Sequence, residues 1–235
     1  MSEASAIRLD PIALFDRHPK VVDLLAAVPL IAWYAVSLYF QGTYIRESFS
    51  TLHSGAVNLI VAMSLLAKVL MFTFGVVLIC LMVIRRTPLK RPNSWTPRFI
   101  AFLGAYLVIG ALVMPLNPPP SALLAISTVL ILGGTAFALY SLLWLGRSIS
   151  IMPESRKLVT SGPYSLVRHP LYLGEQTVLL GVALQCTSVW PLAVLVLQLV
   201  CQLYRMSYEE KILAESFPEY TDYARHTARI LPWIY

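Results

Sequence analysis

Long apolar runs limit the architectures open to this chain more than any other feature of its sequence. A helix that crosses the hydrocarbon core of a bilayer needs roughly 20 predominantly apolar residues. Four runs approach or exceed that length, at Val21–Phe40, Leu65–Ile84, Phe99–Leu116 and Ser121–Leu145. These runs predict four membrane-spanning helices.

The composition excludes an ordinary soluble domain. Of the 235 residues, 57% are hydrophobic and 13% are charged, whereas soluble domains average about 45–50% and about 25%. The core that a chain of this length can build does not hide so much apolar surface. Lipid must therefore cover part of it.

Two shorter apolar runs follow a polar stretch, at Leu171–Cys186 and Val189–Leu203. Thr187, Ser188 and Pro191 interrupt them, which favours a tight helical hairpin. Together the runs predict an all-α, polytopic membrane bundle of about six transmembrane helices with a C-terminal helical hairpin.

Lysine and arginine residues alternate along the connections between these runs. The N-terminal tail, the second loop, the fourth loop and the C-terminal tail carry three, five, four and four of them, whereas the first loop carries one and the remaining two loops carry none. Connections rich in lysine and arginine stay on the cytoplasmic side of a membrane. We therefore expect a multi-pass integral membrane protein with both termini and the two basic loops in the cytoplasm.

Cysteine and histidine residues indicate neither a disulfide framework nor a protein-bound metal. The three cysteines, Cys80, Cys186 and Cys201, all lie inside apolar runs, and the four histidines are scattered. No dense basic run or RNA-binding motif is present, so a nucleic-acid partner is not expected. The oligomeric state stays open.

The polar segment from Gly146 to Glu175 is too patterned for a plain connector. Residues Ser161–Tyr164 read Ser-Gly-Pro-Tyr, which is a turn signal. Pro170 stands where the next helix should begin, a position at which its missing N–H costs nothing. A helix that starts there directs its free N–H groups toward the loop beside His169 and would hold an anion well. The alternative is a basic flank followed by a helix-starting proline.

A second informative pattern lies on the last apolar run. Four polar residues follow one another at intervals of four, three and four: Gln198, Gln202, Arg205 and Glu209. These intervals place all four on one helical face. Such a face should turn to a protein interior or a wet cavity, because contact with lipid is costly. The alternative, a surface ion pair between Arg205 and Glu209, leaves the glutamines unexplained.

Three motifs follow one another between Leu158 and Glu210. They are Leu158-Val159-x-x-Gly162-x-Tyr164, Arg168-His169-Pro170-x-Tyr172-x-Gly174, and Arg205 followed by Glu209-Glu210. In this order they resemble the isoprenylcysteine carboxyl methyltransferase family, which also groups phospholipid N-methyltransferase-like membrane enzymes. The resemblance covers about Gly146 to Trp233.

This resemblance implies S-adenosylmethionine as methyl donor, bound on the cytoplasmic side between the Arg-His-Pro loop and the extension of the last helix. The implied cofactor contacts are Leu158, Val159, Tyr164, His169, Pro170, Leu171, Tyr172 and Glu209. Arg205, nearest the acceptor, and Glu210 are the expected catalytic residues. Residues 1–145 would form four spans that shape the acceptor site, and residues 146–235 would form the methyltransferase region with its hairpin.

Methyl transfer from a sulfonium needs few catalytic groups, because positioning and exclusion of water supply most of the acceleration. A carboxylate acceptor needs no base, and the guanidinium of Arg205 could orient it through two hydrogen bonds. An amine acceptor must lose a proton to Glu209, Glu210 or His169. The sequence contains candidates for both, and a lipid-borne or apolar carboxylate is the favoured acceptor.

Other functions stay open as alternatives. Within the family they are methylation of a phospholipid or other amine and methylation of a small thiol. From a different class comes an NADPH-dependent membrane reductase of the sterol-reductase type, although no Gly-x-Gly-x-x-Gly turn follows a strand. A non-catalytic membrane scaffold would leave the polar face and the Arg-His-Pro loop without a role.

Overall fold

The computed structural model of the chain describes residues 19–52, 59–92, 120–185 and 190–232, together with isolated positions between 96 and 107. The main ranges form six α-helices: α1 (Pro19–Leu52), α2 (Leu59–Ile84), α3 (Ser121–Leu145), α4 (Pro170–Leu184), α5 (Trp190–Ser216) and α6 (Tyr220–His226). Two short 3-10 turns, at Gly146–Ser148 and Gly162–Ser165, and two isolated β-bridges complete the secondary structure of these ranges. The predicted all-α class is confirmed for the described residues.

Four of these helices are long and apolar enough to cross a membrane. The candidate spans are Lys20–Phe49, Leu59–Ile84, Ser121–Ser148 and Trp190–Ser216. Helix α4 has 15 residues, about 22 Å at 1.5 Å per residue, which is shorter than a hydrocarbon core of about 30 Å. The predicted run at residues 99–116 lies largely outside the described residues. The described residues therefore contain four candidate membrane-spanning helices, whereas the count of six crossings stays a prediction.

Large apolar side chains cover the outer faces of the spans. Phe40 on α1 is 64% exposed, Val129 on α3 is 54% exposed and Val196 on α5 is 60% exposed. Soluble monomers rarely expose apolar surface of this extent. These faces fit contact with lipid.

Helices α3 and α4 approach each other closely at glycine residues. A Cβ atom on Gly174 would lie 2.8 Å from the backbone nitrogen of Ala138, and one on Gly181 would lie 2.9 Å from the carbonyl oxygen of Ser127. Small residues permit such close approach of membrane helices. The contact fixes the start of α4, and with it the preceding loop, against α3.

A buried cluster of charges joins the first two helices to the loop that follows α3. Asp23, near the start of α1, accepts hydrogen bonds from Nε of Arg85 at 2.9 Å and from Nη2 of Arg156 at 2.6 Å. Arg156 also donates to Glu154 at 2.7 Å, and these four side chains are at most 9% exposed. Each buried charge has an opposite partner, which offsets its loss of water. None of the sequence patterns predicts this cluster.

The basic connections meet at one end of the bundle. Arg147 donates from Nε to the carbonyl oxygen of Ile84 at 2.8 Å. Nearby, Lys90 forms a β-bridge with Ser155 and a 2.8 Å ion pair with Glu215. The start of α1, the ends of α2, α3 and α5, and the start of α4 therefore lie together. This arrangement agrees with the predicted alternation of basic connections, and its placement in the cytoplasm stays a prediction.

Candidate active site

A cavity of about 340 Å³ lies between the loop that follows α3 and the helical bundle. Its loop end is lined by Leu158, Val159, Tyr164, His169, Leu171, Tyr172, Glu209, Leu213, Tyr220 and Tyr223. Its inner end is lined by side chains of α1 and α2, including Leu30, Trp33, Tyr34, Met71, Phe74 and Leu78. Polar side chains of α4 and α5 line the stretch between them: Glu175, Gln198, Gln202 and Arg205. The cavity thus connects a polar loop end with a mainly apolar inner end.

The turn predicted at Ser161–Tyr164 is present as the 3-10 turn Gly162–Ser165. Gly162 has a φ of +63°, and a Cβ atom there would lie 2.4 Å from the ring of Trp144. Only glycine fits both the left-handed backbone and the neighbouring indole. The turn places the buried side chain of Tyr164 in the cavity wall.

Besides Tyr172, the tyrosines Tyr164, Tyr220 and Tyr223 line the loop end of the cavity. Within the described part of the chain, the buried hydroxyl groups of Tyr164 and Tyr220 have no hydrogen-bond partner. The hydroxyl of Tyr223 donates to the backbone oxygen of Tyr164 at 2.6 Å. Burial raises the pKa of Tyr164, and the charge of Glu209 raises it further. Burial also raises the pKa of Tyr223 to about 12. A raised pKa keeps a phenol protonated at neutral pH, and among the described residues the hydroxyls of Tyr164 and Tyr220 lack the partner that a buried polar group normally has.

His169 immediately precedes α4, which begins at Pro170 as the sequence predicts. Its ring stacks on Tyr172, with ring centroids 5.5 Å apart and planes inclined by 8°. Its Nε2 atom lies 3.1 Å from Oε1 of Glu210. The histidine is therefore fixed between Tyr172 in the first turn of α4 and Glu210 on α5.

Glu210 is the centre of a second cluster of charges. Its Oε1 atom accepts hydrogen bonds from Nε of Arg168 at 3.0 Å and from Nε of Arg229 at 3.1 Å, in addition to the contact with His169. Glu210 does not line the cavity. It joins the loop, α5 and the C-terminal segment to one another.

The polar face predicted on the last helix lies in the cavity wall, since all four of its residues line the cavity. Glu209 accepts hydrogen bonds at Oε1 from the hydroxyl of Tyr172 at 2.6 Å and from Nε of Arg205 at 2.9 Å. Arg205 also donates from Nη2 to the backbone oxygen of Ser150 at 2.8 Å, and it lies over the ring of Tyr172. The Arg205 and Glu209 side chains are 15% and 18% exposed, so they do not form the surface pair of the alternative interpretation.

A network of amides and one carboxylate lies deeper in the cavity wall. Gln202 donates from Nε2 to Oε2 of Glu175 at 2.9 Å. Gln176 donates to Oε1 of Gln202 at 2.7 Å and to Oε1 of Gln198. The sequence analysis missed Glu175 and Gln176. Helical spacing could have identified them, because Glu175 and Gln176 stand three and four residues after Tyr172 and therefore on the same face of α4.

The structure brings together nearly all of the residues expected to form a site. Of the eight implied cofactor contacts, seven line the cavity: Leu158, Val159, Tyr164, His169, Leu171, Tyr172 and Glu209. Pro170 does not line it and forms the first residue of α4. Of the two expected catalytic residues, Arg205 lines the cavity and Glu210 does not. Among the described residues there is no group of three or more His, Cys, Asp or Glu that could hold a metal ion.

Comparison with known protein families identifies one family whose model matches part of this chain. Residues 122–220 match the model of the phospholipid methyltransferase family. This is a family of membrane methyltransferases related to isoprenylcysteine carboxyl methyltransferases. The resemblance predicted from the three motifs is thereby confirmed.

Two curated proteins are similar to part of the chain. The cobalt-zinc-cadmium resistance protein CzcN of Cupriavidus metallidurans is 38% identical over 100 residues, which are 42% of this chain and 46% of that protein. The nickel-cobalt-cadmium resistance protein NccN of Alcaligenes xylosoxydans xylosoxydans is 37% identical over 109 residues, which are 46% of this chain and 50% of that protein. The chain thus spans about half the length of the curated relatives it matches.

Proposed function

We propose that this chain is an integral membrane methyltransferase that uses S-adenosylmethionine and acts on a lipid-borne or otherwise apolar acceptor. One observation carries the proposal: a single cavity joins the three motifs, which lie in the region that matches the family, to an apolar space among the helices. A methyltransferase that acts on a membrane-soluble molecule needs this combination of a polar donor site and an apolar acceptor site.

The loop end of the cavity fits the donor. S-adenosylmethionine supplies an activated methyl group on a sulfonium, and its ribose, adenine and amino-acid parts need polar partners. The buried hydroxyls of Tyr164 and Tyr220 have no partner among the described residues, and a buried polar group without a partner is costly. The apolar side chains of Leu158, Leu171 and Leu213 offer surface to the adenine ring. These residues are therefore suited to hold the donor.

The seven cavity-lining residues that the family resemblance singles out are proposed as donor contacts. Pro170 is proposed to act indirectly, because it begins α4 and so places His169 and Tyr172 at the cavity. Glu209 is held by Tyr172 and Arg205. A fixed carboxylate attracts a cationic group electrostatically without having to reorganise.

The inner end of the cavity fits an apolar acceptor. Its walls are Leu30, Trp33, Met71, Phe74 and Leu78, from two helices that are candidate spans. An acceptor dissolved in the bilayer could reach such a space from the side, without passing through water. The apolar walls also exclude water from the site of transfer, which strengthens the electrostatic contacts there.

Arg205 and Glu210 receive different roles in this proposal. Arg205 already holds Glu209 through Nε and the backbone oxygen of Ser150 through Nη2. These two contacts use two of its five N–H groups, and the other three, on Nη1 and Nη2, can meet an acceptor. The contacts by themselves do not decide between a carboxylate, an amine and a thiol. Glu210 is proposed as a positioning residue, because it lies outside the cavity lining and holds Arg168, His169 and Arg229.

The donor site is proposed to face the cytoplasm, together with both termini. The support is the clustering of the basic connections at the loop end of the bundle and the preference of such connections for the cytoplasmic side. S-adenosylmethionine is made in the cytoplasm, which agrees with this orientation.

A nicotinamide-dependent reductase is the competing function. The match of residues 122–220 to the phospholipid methyltransferase family favours methyl transfer. The metal resistance in the names of the two relatives belongs to those proteins and is not part of the proposal.

A methyl-transfer assay tests the proposed function. The purified full chain in lipid nanodiscs is mixed with methyl-labelled S-adenosylmethionine and with total membrane lipids, prenylcysteine analogues or small thiols. Label in the lipid-soluble products of one pool is expected and identifies the acceptor class. Oxidation of NADPH by the chain in the same nanodiscs, with no label in any of the three sets of acceptors, would contradict the proposal.

A further inference from the structure

Glu175 is a carboxylate in the cavity wall to which neither the motifs nor the resemblance assigns a role. It lies on α4, lines the cavity, and accepts a hydrogen bond from Gln202 at Oε2. No other hydrogen bond to it occurs within the described ranges of the chain. One of its oxygens is thus fixed by an amide, and the other is available to a ligand.

The depth of Glu175 places it at the level where donor and acceptor must meet. Helix α4 runs inward from the loop, so Glu175 lies three residues, or about 4.5 Å at 1.5 Å per residue, deeper than Tyr172. Helix α5 runs outward, so Gln202 lies the same distance deeper than Arg205. The pair therefore separates the donor contacts at the loop end from the apolar walls of the inner end.

The two other carboxylates that line the cavity, and the ring of His169, contact a side chain of opposite charge. Glu209 accepts from Tyr172 and Arg205 at the same oxygen. Glu154 is bound to Arg156 and to the hydroxyl of Ser150. The ring of His169 contacts Glu210, which does not line the cavity. Glu175 is left as the carboxylate best able to interact with an acceptor.

We infer that Glu175 is the catalytic residue that receives a proton from the acceptor during methyl transfer, an inference that rests on the proposed function. A bond forms between the nitrogen or sulfur of the acceptor and the methyl carbon, and the bond between that carbon and the donor sulfur breaks with its electron pair staying on sulfur. The hydrogen of the acceptor leaves as a proton and binds the free oxygen of Glu175. Gln202 keeps the carboxylate turned toward the acceptor while the proton moves.

This role defines the chemistry of the acceptor. The reacting group carries a hydrogen that must be lost, as an amine or a thiol does, and it is attached to an apolar chain that fills the inner end. A carboxylate acceptor has no proton to give and would meet the negative charge of Glu175. The structure therefore assigns the site to a nitrogen or sulfur nucleophile.

The test compares three acceptors that differ only in their reacting group: octadecylamine, octadecanethiol and stearic acid. The full chain in phosphatidylcholine nanodiscs receives methyl-labelled donor, and initial rates are measured at saturating acceptor for the wild type, Glu175→Gln and the control Glu215→Gln. Glu215 forms a surface ion pair with Lys90 outside the cavity. Binding of S-adenosylhomocysteine is measured separately for each protein.

We expect the wild type to label the amine or the thiol, which then identifies the nucleophile, and to leave stearic acid unlabelled. Glu175→Gln should lower turnover about 100-fold or more, in the range of general acid–base catalysis, with unchanged binding of S-adenosylhomocysteine. If Glu175→Gln loses that binding, Glu175→Asp is instead compared with Glu175→Asn, because these two side chains are matched in size. The aspartate variant should then turn over faster than the asparagine variant.

Three results would overturn the role of Glu175: label on stearic acid alone, near-normal turnover of Glu175→Gln, or no label on any of the three acceptors by a protein that binds S-adenosylhomocysteine. Equal turnover of the aspartate and asparagine variants would overturn it in the same way. Loss of the proposed function itself would look different, because the wild type would then fail to bind S-adenosylhomocysteine at all.

Discussion

The hydroxyl of Tyr172 donates a 2.6 Å hydrogen bond to Oε1 of Glu209 and so ties the first turn of α4 to the outward-running part of α5. The two residues belong to different motifs and are 37 positions apart in the chain. Both line the cavity. Their contact joins two sequence motifs into one site.

Replacement of Tyr172 by phenylalanine should weaken donor binding. The variant keeps the stacking surface for His169 and removes only the hydrogen bond to a charged group, a contact worth about 1.5–3 kcal/mol. We expect affinity for S-adenosylhomocysteine to fall about tenfold or more, as measured by calorimetry. Tyr204→Phe is the matched control, since Tyr204 lies on α5 with 56% of its surface exposed. Equal affinities of the two variants would show that this hydrogen bond does not contribute to donor binding.

Replacement of Arg205 by lysine should lower turnover more than donor affinity. Lysine keeps the charge, but its single amine cannot reproduce the planar fork that holds Glu209 and the backbone oxygen of Ser150 together. We expect turnover to fall at least about tenfold in the methyl-transfer assay, a loss of about 1.4 kcal/mol in transition-state stabilisation. Near-normal turnover would show that Arg205 contributes only its charge.

Replacement of His169 by alanine should weaken donor binding while the fold persists. The variant loses the stack on Tyr172 and the contact with Glu210, whereas Glu210 keeps Arg168 and Arg229. We expect a lower affinity for S-adenosylhomocysteine and a nearly unchanged melting temperature. His226→Ala is the control, because the side chain of His226 is 75% exposed. An affinity equal to that of this control would show that His169 does not contribute to donor binding and is only part of a basic flank.

Replacement of Asp23 by asparagine should destabilise the fold. The change leaves Arg85 and Arg156 buried without the carboxylate that both of them contact, and loss of one partner of a buried ion pair costs about 3–5 kcal/mol. We expect a lower melting temperature in detergent, compared with Asp222→Asn at a site where the side chain is 78% exposed. The same melting temperature for both variants would contradict a stabilising role of the cluster.

Features that depend on local periodicity were predictable from the sequence. The bounds of α3, the start of α4 at Pro170 and the polar face of α5 follow from apolar run length, proline placement and helical spacing. The apolar run that ends at Leu203 lies in a helix that continues to Ser216, as the helical spacing of Arg205 and Glu209 indicates, because a helix that leaves the lipid no longer needs apolar residues. Run length alone therefore marks a span and not the end of its helix.

Features that depend on packing between distant segments were not predictable. Asp23 is 62 positions from Arg85 and 133 positions from Arg156, and nothing in the local sequence pairs them. Glu175 looks like a polar residue near the start of an apolar run until α5 places Gln202 against it. Glu210 stands beside Glu209 in the motif, yet adjacent positions on a helix point in different directions, and only Glu209 reaches the cavity.

Calorimetric titration of the purified wild-type chain with S-adenosylhomocysteine, and separately with NADPH, tests the central claim most directly. We expect saturable binding of S-adenosylhomocysteine at about one molecule per chain, weakened in Tyr172→Phe, and no saturable binding of NADPH. Saturable binding of NADPH with no response to S-adenosylhomocysteine would contradict a methyltransferase and favour a reductase.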